Sequence, residues 1–221
     1  MCLNNWGGID HKVLEFHEYV NLFSGKSGSG KSTVMDAIQV ILYGSFSPSF
    51  LNKAADDAKN RRSVLSYLRG EQKDGSANRK DCDFCSVIAL EIEDTGTHII
   101  TCIGIAFEVR KSDSEIKKFV YFSHSGKMPE SEYLTEQGVC YSNQEIKKLV
   151  SARTKSDDNR GKGEVNRIYG SKEAYLGTLY DVILGYIDQN RFITMEKSAI
   201  ALKMTNGTGQ FIRDYMFPKN T

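Results

Sequence analysis

No long apolar run occurs anywhere in this 221-residue chain. Apolar runs are short, such as Val182-Ile183-Leu184, whereas a bilayer-spanning helix needs about 20 mostly apolar residues, so a membrane partner is not expected. The N-terminus, MCLNNWGGID, lacks a signal-peptide core. An excess of one charge is also missing: Lys plus Arg is 29, Asp plus Glu is 28, and the formal charge is +1. That excludes a strongly basic nucleic-acid protein, while leaving room for a local patch. The five cysteines are odd in number and accompany no secretory signal, which predicts a reducing, cytoplasmic setting. Internal repeats and heptads are absent. What the chain does have is 40% apolar residues, enough for one sizeable core in a single domain.

The strongest local signal is Gly25-Lys26-Ser27-Gly28-Ser29-Gly30-Lys31-Ser32, followed by Thr33. It fits the phosphate-binding loop G-x-x-x-x-G-K-[ST]. Tyr19-Val20-Asn21-Leu22-Phe23 reads as a short buried strand entering the loop. Thr33 to Tyr43 reads as a helix, with Val34, Ala37, Ile38, Ile41 and Leu42 at helical spacing and Gly44 as a C-terminal cap. Glycines let backbone N–H groups approach phosphates with no Cβ in the way, and the helix N-terminus adds its positive end. Lys31 is assigned to the β- and γ-phosphates of ATP, and the Ser32 hydroxyl to Mg²⁺.

Lys12-Val13-Leu14-Glu15-Phe16 alternates like a strand, and Cys2-Leu3 reads as a possible edge. After the loop helix come an irregular stretch over 45–62, a short helix Ser63–Arg69 ended by Gly70, and a charged connector over 71–83. Ser86–Glu93 and His98–Val109 form a predicted hairpin, with Lys118–Phe122 as a third antiparallel strand. Helices are predicted at Glu145–Ser151 and Lys172–Gly185, with a polar, mobile stretch over 152–167 between them. A strand is predicted at Ser198–Met204, and a helix from Phe211 to Phe217. The fold class is therefore α/β, a P-loop lobe with a mixed sheet, an antiparallel meander and flanking helices; a small kinase or GTPase would instead alternate strand and helix.

Hydrolysis needs a Walker B carboxylate at the end of an apolar strand. The nearest match is Ile183-Leu184-Gly185-Tyr186-Ile187-Asp188, but the residues before Asp188 read as helix and Gln189 stands where a catalytic glutamate belongs. No L-S-G-G-Q-like signature is present. The order of elements resembles the N-terminal half of an SMC-type ATPase head, in which a coiled coil separates the Walker A half from the half with signature and Walker B. Asn5-Trp6-Gly7-Gly8-Ile9, Val20-Asn21-Leu22-Phe23-Ser24-Gly25, Gly28-Ser29-Gly30-Lys31-Ser32-Thr33 and Met35-Asp36-Ala37-Ile38-Gln39 resemble the SbcC/MukB-like branch. Arg62-Ser63-Val64-Leu65-Ser66-Tyr67-Leu68-Arg69-Gly70 resembles the JetC family, the SMC subunits of Wadjet plasmid-defence systems.

The resemblance implies that residues 1–221 are one head lobe, with a coiled coil following. It implies ATP and Mg²⁺ as cofactors and ATP held between two heads of a homodimer. It further implies, as partners, the C-terminal half of the same head, kleisin-type and KITE-type subunits, a nuclease and double-stranded DNA, in a bacterial cytoplasm on DNA. Arg62 is the candidate γ-phosphate sensor, and Gln189 or Gln210 the glutamine that touches Mg²⁺. Trp6 either lines the adenine pocket or packs in the core. The rival readings are a complete small P-loop NTPase or kinase using Asp188, and a non-catalytic regulatory or DNA-binding module that keeps the loop as a relic.

Two further constellations are weaker. Cys82, Cys85, His98 and Cys102 copy a zinc-finger spacing. Four residues on one strand, however, put His98 about 13 Å from Cys102, too far for one tetrahedral Zn²⁺. Residues 52–80 carry eight Lys/Arg against four Asp/Glu, and residues 147–167 carry seven against three. Both suit phosphate contacts with duplex DNA or a solvated loop, and neither has the interleaved aromatics of a single-strand binder.

Overall fold

The computed structural model describes residues 1–26, 28–48, 51, 63–72, 74–156 and 165–200, with side chains to 196. Its centre is a six-stranded sheet in the order β2-β1-β3-β4-β5-β6, comprising β1 (Cys2–Trp6), β2 (Ile9–Val13), β3 (Phe84–Glu93), β4 (Ile100–Val109), β5 (Lys118–Ser125) and β6 (Arg167–Tyr169). The helices are α1 (Lys31–Tyr43), α2 (Val64–Arg69), α3 (Asn143–Ser156), α4 (Lys172–Gly177) and α5 (Gln189–Ile200). A π-helical segment, Thr178–Ile183, extends α4.

Both faces of the sheet are covered. In β4, Ile103, Ile105, Phe107 and Val109 face the layer of α1, α2 and α4. Ala106 faces the opposite layer, where Ile146 and Val150 of α3 pack with Tyr133 and Phe122. Burial on both sides explains why β4 reads as a nearly continuous apolar run rather than an alternation.

The meander and α1 form where the sequence places them. Several expectations are corrected. Every strand pairing among the described residues is antiparallel, so the sheet is not mixed. The predicted strand Tyr19–Phe23 does not form; Tyr19, Val20 and Leu22 are 83%, 78% and 89% exposed, because among the described residues no neighbouring strand offers it backbone partners. β2 spans Ile9–Val13 rather than 12–16 and is the edge, whereas β1 is interior, paired with both β2 and β3. α3 continues through Ser156, and β6 occupies the end of the stretch expected to be mobile. Residues 198–200 close helix α5 rather than opening a strand; the remainder of that strand and the helix at 211–217 lie outside the described residues.

His124 illustrates how closed the α3 layer is. It is fully buried, its Nδ1 donates to the Ser125 carbonyl at 3.1 Å, and its Nε2 accepts from the Tyr133 hydroxyl at 2.9 Å. Burial pulls its pKa down to about 4, from about 6.5 in an unfolded chain. On acidification the unfolded chain therefore takes the proton first. Stability is fully present above about pH 6.5 and falls toward pH 4, by about 3 kcal/mol from this group. Urea midpoints measured from pH 7 to 4 should show that slope, and His124→Gln should flatten it.

Candidate functional site

The phosphate loop is built around its glycines. Gly28 and Gly30 hold φ of 85° and 88°, left-handed values that a side chain would strain. Gly30 opens α1, with Val34 N–H donating to its carbonyl at 3.1 Å. No side chain caps this end and no acidic residue occupies the first turn, so its N–H groups and positive pole remain available to an anion. Lys31 Nζ donates to the carbonyls of Gly25 at 2.6 Å and Lys26 at 3.0 Å, and to Ser29 Oγ at 3.2 Å. The ammonium is thus folded over the loop, where an incoming phosphate would exchange with these acceptors. Ser32 is exposed beside it.

A cavity of about 560 Å³ adjoins the loop, lined by Ile9 of β2, Leu14, Phe23, Gly30, Lys31 and Val34 among others. That volume falls within the ~300–1,000 Å³ typical of small-ligand sites. Trp6 does not line it. Its side chain is fully buried, stacked on Tyr67 at 5.0 Å, and its indole N–H donates to the Thr33 carbonyl at 2.9 Å.

The other end of α1 is held by three tyrosines that sequence reasoning did not single out. Tyr121, Tyr175 and Tyr180 donate their hydroxyls to the carbonyls of Gly44, Ile41 and Leu42 at 2.6, 2.9 and 3.0 Å. These are carbonyls at the C-terminal end of a helix, which need partners from outside it. The tyrosines in β5 and over 172–185 carry no sequence signal of this role, which depends on where α1 ends against them.

Of the proposed hydrolytic residues that are described, neither Asp188 nor Gln189 lines the cavity beside the loop. Asp188 caps α5: its Oδ1 accepts from Arg191 N–H at 2.7 Å, the ordinary work of an N-cap. Asp188→Ala should cost about 1 kcal/mol in urea unfolding and leave ATP affinity unchanged in a parallel titration. Gln189 begins α5 and is not among the residues lining the cavity. Ser27, Arg62 and Gln210 lie outside the described residues.

The zinc-like set is dispersed as well. Cys85 pairs with Glu108 and Cys102 with Glu91, six positions apart along β3, or roughly 20 Å. Burial pushes the Cys85 thiol up to about 11 and Cys102 up to about 12, away from the thiolate that zinc requires. Among the described residues no group of three His, Cys, Asp or Glu side chains is placed to hold a metal. Mg²⁺ fits differently, because it is commonly carried by nucleotide phosphates with few protein ligands, and the exposed Ser32 hydroxyl suits that arrangement.

Part of the basic stretch at 52–80 is structural. Arg69 Nη2 donates to the carbonyls of Lys111 and Asp113. Arg79 is buried and braces Leu68, Gly7 and Asp10.

This loop and helix define a P-loop nucleotide site. The family described as the P-loop containing region of AAA domain matches residues 1–58, so the N-terminal part of the chain is P-loop ATPase-like, of a kind associated with nucleotide and Mg²⁺ binding. No curated protein matches the chain. No helix among the described residues is long and apolar enough to cross a membrane.

Proposed function

We propose that this chain is the Walker A half of an SMC-like ATPase head of the SbcC/MukB-like branch, most like JetC, and that it acts on DNA in plasmid defence or chromosome maintenance. The observation that supports this most is the segment entering the phosphate loop. Tyr19, Val20 and Leu22 stand 83%, 78% and 89% exposed, whereas a self-sufficient doubly wound nucleotide-binding domain buries the strand that enters its loop. A second polypeptide segment carrying the signature and Walker B motifs would cover this row and complete the sheet. ATP would then lie between two heads, its base in the cavity beside β2 and its phosphates on residues 25–33, with Mg²⁺ on Ser32.

The remaining assembly follows from the same reading: a kleisin-type and a KITE-type subunit, a nuclease, and duplex DNA. The exposed lysines Lys147, Lys148 and Lys155 of α3 are suited to DNA phosphates without sequence preference. Arg62 would sense the γ-phosphate, and Gln189 or Gln210 would touch Mg²⁺.

The test is ATPase activity of residues 1–221 alone and fused to a half-head with the signature and Walker B motifs. The chain alone should bind ATP and turn it over barely, because Lys31 and Ser32 serve only the near side of the γ-phosphate. Orienting the attacking water requires groups on its far side. Robust turnover by the chain alone, abolished by Asp188→Asn, would establish the small-NTPase reading instead.

A further inference from the structure

Two separated stretches of sequence converge on the loop helix. Trp6 of β1 donates its indole N–H to the Thr33 carbonyl in the first turn of α1. Tyr67 of α2 donates its hydroxyl to the buried carboxylate of Asp36, one turn further on. The two rings stack on each other at 5.0 Å with an interplanar angle of 8°. The backbone joins them as well, since Gly7 N–H donates to the Tyr67 carbonyl at 2.8 Å. Gly7 holds φ of +60°, and a Cβ there would come within 2.5 Å of Thr33 Cγ2, so only glycine lets this turn lie against the helix. Arg79 braces the assembly from behind, donating to the carbonyls of Gly7 at 2.5 Å and Leu68 at 2.9 Å.

We infer that Trp6 and Tyr67 are positioning residues for nucleotide binding, a clamp that fixes the first two turns of α1 and so the placement of Lys31 and Ser32. The inference rests on the nucleotide-binding reading of the loop. The geometry carries it in two ways. The tyrosines at Gly44, Ile41 and Leu42 hold the far end of α1, so a tilt of the helix is expressed at its N-terminus, where the clamp sits. Neither Trp6 nor Tyr67 lines the cavity, and their hydrogen bonds go to Thr33 and Asp36 of α1, so any effect on nucleotide must pass through that helix. Misplacing a binding group by about 1 Å can cost a hundredfold in function.

Trp6 is the only tryptophan in the chain, so the clamp carries its own reporter. Addition of ATP with Mg²⁺ should change the emission of Trp6 although the indole is buried away from the ligand. Tyr67→Phe keeps the ring stack and removes the hydroxyl. Calorimetric titration should show its ATP affinity reduced about tenfold. Ile146→Val, in the α3 layer on the opposite face of the sheet, serves as a control: it should lower the melting temperature while leaving ATP affinity at the wild-type value. Unchanged affinity in Tyr67→Phe, equal losses of affinity in both variants, or ATP binding with no change in Trp6 emission would each overturn the clamp while leaving the phosphate loop intact. Failure of the wild-type chain to bind ATP by calorimetry would instead overturn the nucleotide reading, and the clamp with it.

Discussion

Lys31→Ala should weaken binding of ATP with Mg²⁺ by about a hundredfold and leave the fold standing. Lys31 Nζ makes three hydrogen bonds, all within the phosphate loop, to the Gly25 and Lys26 carbonyls and to Ser29 Oγ. These acceptors hold the ammonium over the site, and phosphate oxygens would replace them at little geometric cost. A hydrogen bond to a charged group contributes about 1.5–3 kcal/mol, so losing two such contacts to the β- and γ-phosphates accounts for the factor. The side chain is partly exposed and takes no part in the core, so stability should change by no more than about 0.5 kcal/mol. Titration with a fluorescent ATP analogue beside a melting curve gives both quantities. A folded variant with wild-type affinity would remove Lys31 from the site.

Gly104→Val should be among the most destabilising single changes in the described sheet, at about 3 kcal/mol or more. Gly104 sits in β4, with Ala89 of β3 and Phe122 of β5 as its cross-strand partners. A Cβ at this position would lie 2.5 Å from the Ile88 carbonyl oxygen, 2.9 Å from Phe122 Cζ and 3.0 Å from Ala89 Cα. Two of those atoms are backbone in the middle of a three-strand ladder and cannot move without breaking register. Overpacking of this kind costs about 1–3 kcal/mol even where side chains can adjust. The Phe122 ring lies over the gap that glycine leaves, a cross-strand arrangement that offsets the weakness of glycine in a strand. Urea unfolding followed by Trp6 fluorescence measures the loss; a midpoint equal to wild type would show that the strands can part to admit a side chain.

The two sites differ in how far sequence reveals them. Lys31 is legible because the loop is a local device: glycines, lysine and serine must follow one another at fixed spacing to wrap one phosphate chain. Gly104 is not, because its role depends on which atoms of β3 and β5 arrive beside it. The same division explains the failures. Tyr19–Phe23 has the composition of a strand, yet a strand exists only where another supplies its hydrogen bonds. β6 has three residues, too few to show a period.

By itself, the sequence determined the phosphate loop, α1 with its glycine cap, the β3–β4 hairpin and the meander, since each follows from spacing within a short window. Only the tertiary structure decided that every described strand pairing is antiparallel, that β1 is interior, and that Trp6 and Tyr67 meet on α1 instead of lining a pocket. Those outcomes depend on contacts between residues far apart in the chain, such as Trp6 with Thr33 and Tyr67 with Asp36. Local periodicity says which face of an element is buried, but not which partner buries it.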